Sequence, residues 1–153
     1  MGTLVGIARR AKKRAAMEVV ETAAVELATG VANDFRGKPG ARQVTVLSGD
    51  VWDRVCAELG RVLPWTTRRA NLLVRGVELP QSAGAVIAIG SVRLEVMQET
   101  DPCSRMEEQC PGLRDALTPD WRGGVCCRVL ADGTVSAGDL VTIEADIGAG
   151  AGR

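Results

Sequence analysis

Short stretches in which apolar and polar positions alternate make up most of the chain. Thr3 to Ile7, Gln43 to Leu47, Ala70 to Val74, Val86 to Ile89, Val92 to Met97, Val125 to Leu130 and Leu140 to Glu144 each read as a strand. Met17 to Leu27 contains Ala and Glu, which suit a helix. Val19, Val20, Thr22 and Val25 favour a strand, and a hairpin with Gly2 to Ala8 is expected. Val77 to Leu79 continues the β pattern.

Helical spacing occurs in two places. Val51, Val55 and Leu59 recur every four residues, so Val51 to Leu59 is predicted as a helix, with Asp50 as its N-cap and Gly60 ending it. Cys56 lies on the apolar stripe and reads as a buried structural thiol. Met106 to Leu117 reads as one or two short helices around Pro111-Gly112. Gly and Pro punctuate the rest, with an Asp-Gly turn signal at Asp132-Gly133. The expected fold class is α+β: a mostly antiparallel, barrel-like β structure with a few short helices. A single domain is expected over residues 1–146, with a loose Gly/Ala-rich tail over residues 147–153.

Composition sharpens this picture. Aromatic residues are only 3% of a chain that is 46% apolar, so the core must be aliphatic. Nineteen basic and nineteen acidic residues cancel. That balance, with so few aromatics, argues against a nucleic-acid or membrane-surface binder. No apolar run approaches a membrane span and no signal-peptide pattern opens the chain, so a cytoplasmic location is expected. Histidine is absent. That removes Ser-His-Asp and Cys-His catalysis and His-bearing zinc sites.

The cations are clustered. Ala8 to Arg14 (ARRAKKR) reads first as a solvated basic loop, with an anion site as the alternative. Gly30 to Arg42, rich in Gly, Pro and cations, reads equally well as a plain surface loop or as one that faces an anionic ligand. Asn71, at the start of an apolar strand, is either a cap or a ligand-facing amide.

Of the five cysteines, Cys103 has the most reactive setting. Val92 to Met97 carries the backbone to it, Pro102 ends the strand, and Arg105 follows two residues later. A thiol in a polar loop beside a cation is placed for thiolate chemistry. Cys126 and Cys127 are adjacent on a strand and point to opposite faces. No CxxC pair exists. Without His, a Cys103 thiolate lacks a ready general base for acyl transfer. It is suited to carrying a persulfide or ligating a thiophilic metal.

Glu99-Thr100-Asp101-Pro102-Cys103 with Met106, then Gly112, Gly123-Gly124-Val125, Arg128-Val129-Leu130, Gly133, Val135 and Gly138-Asp139-Leu140-Val141, resembles the carboxy-terminal half of a MOSC domain, the domain at the carboxy end of molybdenum cofactor sulfurases. Gly30-Val31, Asp34 and Arg42-Gln43-Val44 resemble its Gly-rich loop and next strand. Arg69, Asn71-Leu72, Gly76, Leu79, Gly84 and Ile89-Gly90 resemble its middle section. The resemblance implies a β-rich barrel in a single-domain member, with Cys103 as the functional cysteine assisted by Arg105.

Two activities are implied. In one, Cys103 carries sulfur from a separate pyridoxal-phosphate cysteine desulfurase to a small-molecule acceptor. In the other, Cys103 ligates the metal of a molybdenum-pyranopterin cofactor in a reductase of N-hydroxylated compounds, fed by a separate electron-transfer partner. Arg36, Lys38, Arg42, Arg68 and Arg69 are then candidates for the cofactor phosphate, and Asn71 for the pterin.

Overall fold

A computed structural model describes residues 1–144 of the chain. It contains eleven strands and three α-helices among those residues. In chain order these are β1 (Gly2–Arg9), β2 (Glu18–Val20), β3 (Thr22–Glu26), β4 (Gly30–Val31), β5 (Val44–Ser48), α1 (Gly49–Leu59), β6 (Leu72–Arg75), β7 (Val86–Ile89), β8 (Val92–Glu99), α2 (Ser104–Gln109), α3 (Leu113–Leu117), β9 (Val125–Ala131), β10 (Gly133–Ser136) and β11 (Leu140–Glu144). Seven of the strands close into a ring, β1-β6-β5-β9-β8-β7-β11, because β11 pairs back with β1. Among the described strands only β5 and β6 run parallel, and α1 lies between them in the chain. The α+β, barrel-like class expected from the pattern is therefore the class observed.

The barrel interior is aliphatic. Leu4, Val25, Val31, Val44, Leu72, Ile87, Ile89, Leu94, Val96 and Cys127 belong to one buried cluster. The inward residues of β8, Val92, Leu94 and Val96, follow the two-residue period that marked the strand. A second cluster lies outside the ring, where α1, α2 and α3 bring Trp52, Val55, Met106, Leu113 and Leu117 against Leu47 and Leu73 of the sheet.

Several expectations need correction. The N-cap of α1 is Ser48, whose hydroxyl accepts a hydrogen bond from the Val51 N–H at 3.2 Å. Asp50 instead binds the Gly76 N–H and Arg75. Val77 to Leu79 forms no strand, because the turn at Gly76 leads the chain off the sheet. Cys56 is half-buried at the edge of the helical cluster. The hairpin of β1 with β2 forms, but β3 leaves it to pair with β4 and β10 in a separate three-stranded sheet. The Asp132-Gly133 turn therefore hands the chain to β3 rather than folding it back along β9. The basic segment is not wholly solvated: Arg10 is only 8% exposed. The expected tail, residues 147–153, lies outside the described residues.

Candidate functional site

Cys103 sits where β8 gives way to α2. Its extended backbone (φ −120°, ψ −178°) places it at the N-cap of α2, and its side chain makes no capping bond. Met106, three residues later, is buried in the helical cluster and anchors the first turn. The Met106 N–H donates to the Cys103 carbonyl at 2.9 Å. The outcome is an exposed sulfur on a fixed backbone.

That sulfur borders a cavity of about 420 Å³. Seven arginines (10, 14, 36, 42, 68, 69 and 105) and Lys13 line it, against two carboxylates, Asp34 and Asp101. Of the residues expected at the site, Cys103, Arg105, Arg36, Arg42, Arg69 and Asn71 are all brought to this cavity. Lys38 is not; it lines a shallow depression on the outer side of the same loop, beside Phe35 and Pro39. A neighbouring cleft of about 610 Å³ shares Arg14, Met17, Arg69, Arg105 and Met106 with the cavity wall.

The arginines differ in how they are held. Arg68 is buried, and its Nη2 donates to the Thr100 carbonyl at 2.7 Å and its Nε to the Gly123 carbonyl at 3.1 Å. Glycine is required at position 123, because a Cβ there would collide with the Thr100 carbonyl and lie 2.9 Å from Arg68 Nη2. Burial holds the Arg68 pKa below its ordinary value, and the nearby sulfurs of Cys103 and Cys126 oppose that shift.

Arg10 and Arg69 are less well satisfied. Arg69 Nη2 donates to the Ala15 carbonyl at 2.6 Å, but its Nε is buried without a partner, as is Arg10 Nη1. Burial lowers both pKa values, and repulsion among Arg10, Arg36, Arg69 and Arg105 lowers them further. Arg69 is also in the left-handed region (φ 62°), a conformation that costs a non-glycine residue about 1 kcal/mol. Unpaired buried N–H groups, mutual repulsion and a strained backbone in one wall mark a site shaped for an anion.

The carboxylates modulate this field. Asp34 accepts from the backbone N–H of Arg10 at 3.0 Å and of Arg36 at 3.2 Å, which ties the Gly-rich loop to the end of β1. The Glu99 carboxyl is held above its ordinary pKa by burial first and by Asp101 second.

Three polar side chains support the wall, Asn71 and Gln43 buried and Thr100 half-buried. The Asn71 side-chain oxygen accepts from the N–H and hydroxyl of Thr45, and its amide donates to the Ala8 carbonyl, joining β5 and β1. Gln43 donates to the Leu27 and Gly37 carbonyls and accepts from the Val129 N–H, fastening the Gly-rich loop to β9. Thr100 Oγ1 lies 3.1 Å from Cys126 Sγ, and Cys126 is itself part of the cavity wall.

Sequence reasoning missed Arg10, Gln43 and Cys126. Arg10 carried a readable signal: it follows Ala8 by two residues, so an extended strand puts both on one face. Cys126 was one of two faces of a strand, and only the closed ring shows which face meets the cavity.

Residues 29–142 match the family model described as MOSC domain. No curated protein matches the sequence. Several solved structures share the fold. YuaD from Bacillus subtilis is 19% identical, with a TM-score of 0.75 over 94% of this chain and 96% of that one. YiiM from Geobacillus stearothermophilus is 19% identical, with a TM-score of 0.77 over 97% of this chain and 78% of that one. YiiM from Escherichia coli is 15% identical, with a TM-score of 0.69 over 96% and 71%.

Proposed function

Because the chain belongs to the MOSC domain family, which is related to the carboxy-terminal domain of molybdenum cofactor sulfurases, we propose that it is a sulfur carrier working through Cys103. The observation that supports this reading most directly is the exposed Cys103 sulfur on the rim of the arginine-lined cavity. The Cys103 thiolate attacks the terminal sulfur of a persulfide on a separate pyridoxal-phosphate cysteine desulfurase. The donor cysteine leaves as a thiolate, and Cys103 is left as a persulfide. Arg105, in the first turn after Cys103, and the buried Arg68 place positive charge in the same cavity as this sulfur. The remaining arginines receive an anionic small-molecule acceptor next to it.

A second reading has its own support. The unpartnered N–H groups of Arg10 and Arg69 suit the phosphate of a molybdenum-pyranopterin cofactor, and Cys103 offers one soft ligand to its metal. Among the described residues no cluster of three or more His, Cys, Asp or Glu side chains could hold a metal alone. A cofactor that brings its own sulfur ligands needs only one thiolate from the protein, so the residues fit. Arg36, Arg42 and Arg69, joined by Arg10 and Arg68, would hold the phosphate. Lys38 does not line the cavity, and Asn71 is committed to the wall. Such a cofactor supplies two-electron reduction of N-hydroxylated compounds, with electrons from a separate redox partner.

Anaerobic purification followed by metal and pterin assay tests the second reading. Incubation of the protein with a cysteine desulfurase and cysteine, followed by intact-mass measurement, tests the first. The expected result is a gain of one sulfur atom that disappears in Cys103→Ser. Stoichiometric molybdenum lost with the same substitution, and no sulfur gain, would overturn the carrier.

A further inference from the structure

The cavity holds a second thiol for which carrying sulfur has no use. Cys126 is 1% exposed on average yet lines the same cavity as Cys103. Its neighbour Cys127 points into the barrel interior, where burial holds it as a neutral thiol. Arg68 ties the two cavity cysteines together. The carbonyls it binds belong to Thr100 and Gly123, each three residues before one of the cysteines. Both sulfurs act electrostatically on its guanidinium. Thr100 Oγ1 lies within hydrogen-bond distance of Cys126 Sγ. Two thiols that line one cavity and act on one buried cation are candidates for an attacking and a resolving cysteine.

We propose that Cys126 is a resolving thiol that discharges the Cys103 persulfide as sulfide inside the arginine-lined cavity. The proposal rests on the carrier reading. The Cys126 thiolate attacks Cys103 Sγ, and a Cys103–Cys126 disulfide bond forms. The bond between Cys103 Sγ and the terminal sulfur breaks, and that sulfur leaves with the electron pair as hydrosulfide. The proton that Cys126 gives up on becoming a thiolate ends on the departing sulfide, which leaves as hydrosulfide. A dithiol reductant supplies the two electrons and two protons that restore both thiols. The acceptor is therefore an anionic electrophile that takes sulfide, not a nucleophile that takes sulfane sulfur.

The experiment loads the full chain with sulfur from a cysteine desulfurase and cysteine, removes the donor, and follows intact mass and free sulfide with time. The wild type is expected to lose the added sulfur, release sulfide, and end two hydrogens lighter than the reduced chain. Proteolysis is expected to give a Cys103–Cys126 cross-linked peptide. Cys126→Ser is expected to keep its persulfide, and Cys127→Ala to behave as the wild type. The wild-type peptide map tests the proposal without relying on the fold of any variant. A wild-type persulfide as long-lived as that of Cys126→Ser, or a disulfide joining any other pair, overturns the resolving role and leaves the carrier standing. Failure of wild type and variant alike to take up sulfur overturns the carrier and the resolving role together.

Discussion

The barrel interior and the cationic cavity share the strands β5 and β9 but obey different rules. In the interior the side chains are aliphatic and its residues alternate with the strand period. In the cavity wall, arginine N–H groups are buried without partners, like charges face each other, and Arg69 adopts a left-handed backbone. Violations of local physics gathered in one place are what the proposed site would require of its wall. Cys126 and Cys127 show the division within one dipeptide: one sulfur lines the cavity, and the other packs in the core.

Substitutions can break this contrast or sharpen it. The largest effect is expected inside the barrel: Leu94→Ala should cost about 4 kcal/mol in denaturant unfolding, since Leu94 is fully buried. Arg68 belongs to the cavity by position but to the scaffold by bonding. Arg68→Met strands the Thr100 and Gly123 carbonyls and should cost about 3 kcal/mol.

Cys127 can be followed on an alkaline titration. Burial raises the Cys127 pKa in the folded chain, so its stabilising contribution is whole below the ordinary thiol value of 9.0 and is lost as pH rises above it. Above that pH the wild type should lose stability faster than Cys127→Ala by about 1.4 kcal/mol per pH unit, read from chemical unfolding at stepped pH.

Arg10 should respond in the opposite sense to Arg68. Arg10→Met removes an unpaired buried cation and is expected to stabilise the fold by about 1 kcal/mol. The same change should weaken protection by pyrophosphate in thermal unfolding; a destabilised variant with unchanged anion protection would place Arg10 in the scaffold instead. The smallest effect is expected on the outer face, where Arg128→Ala breaks the exposed pair with Glu95 and should cost about 0.5 kcal/mol or less.

Much of the barrel was legible because strand period and Gly turns are local signals. Val92 to Met97 and Val125 to Leu130 emerged nearly where β8 and β9 lie. Cys103 was legible for a related reason, as Pro102 ends a strand beside it. The wall of the cavity was not. Arg10, Arg36, Arg69 and Arg105 come from four separate segments, and only the pairing of β1 with β6 and the fastening of the Gly-rich loop by Gln43 bring them together. The N-cap of α1 was misplaced by two residues because Ser48 and Asp50 are both good capping types, and the Asp50 carboxylate is drawn to Gly76 and Arg75 across the sheet. That competition is tertiary, and no window of sequence contains it.

The ring closes where β1 meets β11, over the register Gly2↔Val141 and Thr3↔Leu140. The first strand of the chain therefore waits for the last one before the circuit is complete. Until β11 arrives, β7 presents a bare row of backbone donors and acceptors and β1 a short one at Gly2 and Thr3, ahead of its hairpin with β2, and another chain can pair there. Contacts that span nearly the whole sequence also make closure slow, so this exposure is prolonged. Refolding at high concentration is the condition in which strands from different molecules would compete for that seam.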